Sequence, residues 1–94
     1  MKNKFTYCRC VWPDYYDYRI IIDNGKGHCR VSVFSNEVII SDLFVKEEYR
    51  NQGYGTALLN KAETFVPEGR EISILPLYDW EREWYKSRGY KIMK

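Results

Sequence analysis

Two glycines in the run Tyr49-Arg50-Asn51-Gln52-Gly53-Tyr54-Gly55-Thr56-Ala57-Leu58-Leu59 stand where a chain could hold a phosphate. The run follows an apolar, β-branched segment, Val38-Ile39-Ile40 through Leu43-Phe44-Val45, and opens directly into a helical pattern. The first amides of a helix have no internal partners, and the helix dipole favours an anion beside them. Gly53 and Gly55 would let a pyrophosphate approach the main chain without meeting a Cβ atom. The same two glycines also suit an unliganded strand-to-helix turn, so the spacing alone leaves both readings open.

Cys8, Cys10, His28 and Cys29 supply residue types that bind metals or act as nucleophiles. Cys8 and Cys10 share a strand face, but the adjacent His28 and Cys29 point to opposite faces, which argues against a shared metal. The reading is therefore of small buried thiols, with no metal centre and no Cys–His nucleophile pair. Three cysteines form an odd set without CxxC spacing, which fits reduced thiols in a cytoplasm.

The elements that must position these residues change period halfway along. Lys4–Trp12, Tyr18–Asp23, His28–Ser35 and Glu37–Val45 read as strands, with Asn24-Gly25 as a hairpin turn and Cys29, Val31 and Val33 on one face. Leu58, Leu59, Ala62, Phe65 and Val66 then recur at helical spacing, predicting a helix from about Gly53 to Val66. Glu71–Leu75 reads as a strand, and Asp79 as the N-cap of a helix over Trp80–Arg88. Gly89 suits a left-handed cap, and Tyr90–Met93 a last strand. Trp80 and Trp84, one turn apart, are expected in core or interface packing. The order β-β-β-β-α-β-α-β predicts an α/β domain over residues 1–94, with a mixed, largely antiparallel sheet and two helices.

Ninety-four residues with 45% hydrophobic and 17% aromatic content can build a core. A net charge of +2 without a polybasic block does not call for nucleic acid or a membrane surface as a partner. No apolar run approaches the ~18 residues of a membrane span, and the start of the chain lacks the apolar run of a secretory signal.

With this order in place, two strings resemble the GNAT superfamily of N-acetyltransferases. The family's cofactor turn, Q/R-x-x-G-x-G/A, is matched by Arg50-Asn51-Gln52-Gly53-Tyr54-Gly55, preceded by Leu43-Phe44-Val45 and Tyr49. Its aromatic-Tyr-x-x-x-Gly-aromatic string is matched by Trp84-Tyr85-Lys86-Ser87-Arg88-Gly89-Tyr90. The resemblance covers roughly Ile39 to the C-terminus. It implies acetyl-CoA as acyl donor, with backbone amides from Gln52 to Thr56 on the pyrophosphate and Leu43, Phe44 and Val45 pairing with the pantetheine arm. It places Tyr85 as general acid for the departing thiolate. A small-molecule or protein amine would be the acceptor, attacking the thioester directly.

The attacking amine must also lose a proton, and an alkylammonium has a pKa of about 10. Asp42, just before Leu43, is the first candidate base and Glu37 the second, while Glu47 and Glu48 fall in a solvated loop. A hydrogen-bonded strand carboxylate is the alternative for Asp42. The family commonly places two helices between its first two strands, and here only Pro13-Asp14-Tyr15-Tyr16-Asp17 stands there. The family's frequent Asn at the start of the last helix is replaced near Tyr78, and its final hairpin is shortened. The aromatics Trp12, Tyr15, Tyr16 and Tyr18 either plug the exposed sheet or line an acceptor pocket. A reduced acceptor side leaves open a non-catalytic CoA-binding or interaction module, and an open sheet edge suits a homodimer.

Overall fold

A computed structural model describes residues 2–93. Four strands, β1 (Phe5–Val11), β2 (Tyr16–Ile22), β3 (Gly27–Val33) and β4 (Glu37–Val45), form an antiparallel meander. Helix α1 (Tyr54–Glu63) carries the chain to β5 (Glu71–Ile74), and α2 (Glu81–Ser87) carries it to β6 (Lys91–Ile92). Both crossovers join parallel neighbours, so one mixed sheet runs in the order β1-β2-β3-β4-β5-β6. The fold is the α/β arrangement that the change of period predicts.

Period-two alternation decides what the sheet buries. Cys29, Val31 and Val33 all point inward, in register with Ile20 on β2 and with Ile40 and Val38 on β4. Leu58, Leu59 and Ala62 of α1 join the same core, as do Ile74 and Tyr85. Burial of each such leucine is worth roughly 1.5–3 kcal/mol, so this stripe fixes α1 on the sheet. Both helices thus lie on one face. The alternate residues Thr6, Cys8, Arg19, Ile21 and His28 stand on the other face and are exposed. Only Trp12–Tyr15 separate β1 from β2, and no helix lies between them to cover that face.

Several boundaries differ from the sequence expectation. Residues 64–66 close α1 with bonds to the third preceding carbonyl (Thr64 to Lys61, Phe65 to Ala62, Val66 to Glu63), so the α-helix ends at Glu63 rather than Val66. The Asn24-Gly25 turn is a short 3-10 turn over Asp23–Gly25, with Asp23, Asn24 and Gly25 all at positive φ. The Asp23 carboxylate holds it by accepting from the Lys4 amide at 2.7 Å. Asp79 does not cap α2: its side chain is fully exposed and meets Arg82 at 3.5 Å. Glu81 reaches back instead, and its Oε1 accepts from the amides of Leu77 and Tyr78 at 3.0 and 3.1 Å. Trp80 lies outside the core, 67% exposed. Gly89, at φ +87°, is the left-handed residue expected after α2.

The aromatics divide between two places. Tyr18 packs on Phe65 at 4.4 Å and Tyr16 on Tyr18, closing the helical side of the sheet. Trp12, Tyr15 and Phe34 stack beside the β1–β2 hairpin, at the end of the sheet where β4 begins. That is the end remote from Leu43–Val45.

Candidate active site

The site starts from an irregularity in β4. His28 pairs with Phe44 and Arg30 with Ser41, so Asp42 and Leu43 together oppose Cys29. The bulged residue Asp42 sits at φ +54°, a left-handed conformation that Asp tolerates better than most residues. A bulge bends its strand. Here the pairing of β4 with β5 stops at Ile40, whose carbonyl accepts from Leu75. Beyond that point β4 has no β5 partner.

The main-chain direction follows from one close contact. A Cβ on Gly27 would lie 2.9 Å from the Phe44 carbonyl oxygen, so Phe44 turns its backbone toward β3 and Gly27 is needed for the approach. By alternation Leu43 and Val45 direct their backbone groups to the opposite, unpaired edge. The Val45 carbonyl there accepts from Arg50 Nε at 2.8 Å, and the Arg50 guanidinium lies over Phe44. Arg50 therefore ties the turn before α1 to the end of β4.

That turn presents the helix start. Asn51 (φ +63°) and Gly53 (φ +89°) both take left-handed conformations, and no side chain caps α1. The first helical bond runs from the Ala57 amide to the Gly53 carbonyl, which leaves the amides of Tyr54, Gly55 and Thr56 pointing out of the helix end. Gly53 is explained by its φ. Gly55 is not, because its φ is unexceptional and a Cβ there would make only ordinary contacts, with Trp84 at 3.5 Å and Leu43 at 4.0 Å. Glycine costs about 1 kcal/mol against alanine inside a helix. The fold shows no return for that cost at position 55, which lies on the cleft wall beside Trp84 and Leu43.

Helix α2 closes the other side. Trp84, Glu81 and the preceding Tyr78 and Trp80 face Leu43–Val45 and the α1 start across a cleft of about 440 Å³. Cations gather at the α1 end. Arg88 stacks on Trp84 at 3.8 Å and donates to Thr56 Oγ1 at 3.3 Å, while Lys26 Nζ lies 3.4 Å from the Tyr54 hydroxyl. Arg88 and Lys26 thus touch side chains of the first turn of α1, and Arg50 lines the cleft itself, a positive surrounding that favours an anion at the helix start.

The structure thus brings Leu43, Phe44, Val45, Arg50, Asn51, Gly53, Tyr54, Gly55 and Thr56 onto one cleft. Gln52 turns away and donates to the Glu48 carbonyl. Tyr85 is 1% exposed, in the core beneath Trp84 and not on the cleft wall. Burial pushes its hydroxyl pKa well up, with the neighbouring Glu81 charge adding to the effect. Asp42 pairs with Arg30 at 3.3 Å and is half-exposed, also off the cleft wall. Glu81, Trp84 and Arg88 were not expected at the site. Their i, i+3, i+7 spacing, one stripe of α2, is the signal that marks them in the sequence.

Comparison with known proteins agrees with this geometry. The family model for the "Acetyltransferase (GNAT) domain" matches residues 9–92. A solved structure described as "Putative acetyl transferase from Pyrococcus furiosus" is similar with a TM-score of 0.66 and 26% identity. The match covers 88% of this chain and 63% of that one. No curated protein matches. Because the family model spans residues 9–92, including the glycine turn that opens α1, this chain belongs to the GNAT acetyltransferase family.

Proposed function

We propose that the protein is an acetyl-CoA-dependent N-acetyltransferase that passes an acetyl group to a primary amine by direct attack on the thioester. The observation that carries this reading is the cleft itself. It joins the unpaired edge of β4 to uncapped amides at α1, with a glycine at position 55 that backbone conformation does not require.

Acetyl-CoA would supply an activated acyl carbon. Leu43 and Val45 would pair with its pantetheine arm as an added strand, and the Leu43 amide would donate to the thioester oxygen as charge develops there. Amides from Gln52 to Thr56 would take the pyrophosphate, with Arg88 and Lys26 beside them. The amine gives up one proton before attack, for which Asp42 on the open face is the candidate acceptor. A C–N bond then forms as the C–S bond breaks, and the second nitrogen proton ends on sulfur. Tyr85, kept protonated by burial, is assigned as the hydroxyl that donates toward that sulfur.

Calorimetric titration with acetyl-CoA tests the reading: one-to-one binding that weakens with added salt is expected, and absence of binding by both acetyl-CoA and CoA would sink it. The bare sheet face favours a second reading, a CoA-binding module without transferase activity. It is distinguished by acetyl-CoA binding with no release of free CoA across a panel of amines.

A further inference from the structure

We propose that the acceptor is a primary amine with a single positive charge and an apolar body, an alkyl- or arylalkylamine, seated on the loop between β5 and α2. This rests on the transferase reading above. Tyr78 and Trp80 of that loop are 42% and 67% exposed and line the cleft. Scattered exposed apolar residues are ordinary, but two large aromatics together on the wall of a cleft mark a contact surface. The Tyr78 and Trp80 rings lie nearly parallel, 5.9 Å apart at 8°, and both border the cleft opposite the free edge of β4.

The charge beside them is the complementary feature. Glu81 is 6% exposed and lines the same cleft. Its Oε1 is held by the amides of Leu77 and Tyr78, and no ion pair to it occurs among the described residues. Buried carboxylates are ordinarily paired with a cation. A protonated amine supplies that cation, and the aromatic faces of Tyr78 and Trp80 favour it as well. The apolar body of the same molecule then covers the exposed rings of Tyr78 and Trp80.

Other acceptor classes fit less well. A free amino acid would set its own carboxylate against Glu81. A polyamine would bring further charges to a cleft whose lining holds one carboxylate, Glu81. Binding as the ammonium precedes the chemistry. The amine sheds one proton to water or base, forms the C–N bond as the C–S bond breaks, and leaves its second proton on the CoA sulfur.

The experiment compares phenethylamine, hexylamine, spermidine and glycine as acceptors, following release of free CoA. The two apolar monoamines are expected to exceed the others in kcat/KM by about tenfold or more, the scale of discrimination that a few buried contacts provide. Trp80→Ala, at an exposed position, and Glu81→Gln, which keeps the oxygen that accepts from Leu77 and Tyr78, should each raise the KM for phenethylamine about tenfold. A second measurement needs no donor: phenethylamine should shift the amide NMR signals of Leu77–Glu81 in the wild-type protein. Preference for spermidine or glycine overturns the proposal, as does an unchanged amine KM in both variants or a lack of shifts at the loop. Failure to bind acetyl-CoA while the shifts persist overturns the transferase reading and leaves the loop as an amine site.

Discussion

Tyr85 carries the most testable chemistry at the level of single residues. Burial first, and the Glu81 charge second, raise its pKa far above that of a free phenol. A thiol has a pKa near 8.5, so in the proposed role complete proton transfer from this hydroxyl to a thiolate is uphill, and hydrogen bonding to the sulfur would be the larger contribution. Tyr85→Phe is therefore expected to lower kcat by about tenfold, well short of abolishing turnover. A loss of several orders of magnitude would show that the proton is fully delivered by Tyr85. Asp42→Asn reports on the other proton: its rate defect should be largest at neutral pH and shrink as pH approaches the amine pKa of about 10. A pH-independent defect would assign Asp42 to holding the bulge through Arg30.

At the level of elements, the turn into α1 separates two uses of glycine. Gly53 sits at φ +89°, which an L side chain adopts at a cost of roughly 1–2 kcal/mol, so Gly53→Ala should lower stability by about that amount in urea unfolding. Gly55 has no such need and lies inside a helix. Gly55→Ala should match or exceed wild-type stability by up to about 1 kcal/mol, because alanine is the better helix former. Acetyl-CoA affinity should move the opposite way, falling in Gly55→Ala because its methyl lies against Trp84 and Leu43 and narrows the cleft between them. Equal affinity in wild type and Gly55→Ala would reduce the glycine to turn chemistry. The bulge in β4 acts on the same scale: one extra residue ends the pairing with β5 and creates the free edge.

Over the whole molecule, the one-sided sheet concentrates burial on the helical face, and the titratable groups buried there set its response to base. Cys29 lies under both helices, and burial pushes its thiol pKa up to about 12 from an ordinary 9.0. Burial likewise raises Tyr85 and Tyr90, the latter also through its hydrogen bond to Glu63. The unfolded chain loses these protons at lower pH than the folded one. Stability should therefore hold up to about pH 9 and decline above it, by as much as about 1.4 kcal/mol per pH unit for the buried Cys29 and by less for Tyr90, whose partly exposed hydroxyl is screened by water. Thermal unfolding from pH 8 to pH 11 should show a falling Tm, and Cys29→Ala should flatten the slope. A Tm independent of pH over this range would place these groups in contact with water.

The order of the elements and most residues of the cleft around Leu43–Val45 and Gly53–Thr56 were legible along the chain. Alternation in β3 and the helical stripe of Leu58, Leu59 and Ala62 are local signals, and the backbone groups proposed for the donor depend on position along the chain more than on distant partners. The rest came from tertiary contacts. The bulge at Asp42 is a mismatch in register between two strands, and no single stretch of sequence encodes it. Glu81 reads as an ordinary first-turn acid of a helix until folding buries it against a cleft. Arg88 reaches Thr56 across 32 positions of chain. Trp80 and Trp84 share a helical spacing, yet one faces solvent at the cleft mouth and the other packs on Tyr85, because the backward reach of Glu81 delays the start of α2. Periodicity fixes which face of an element is apolar. What that face meets, and which polar group is carried inward with it, depends on contacts between segments far apart in sequence.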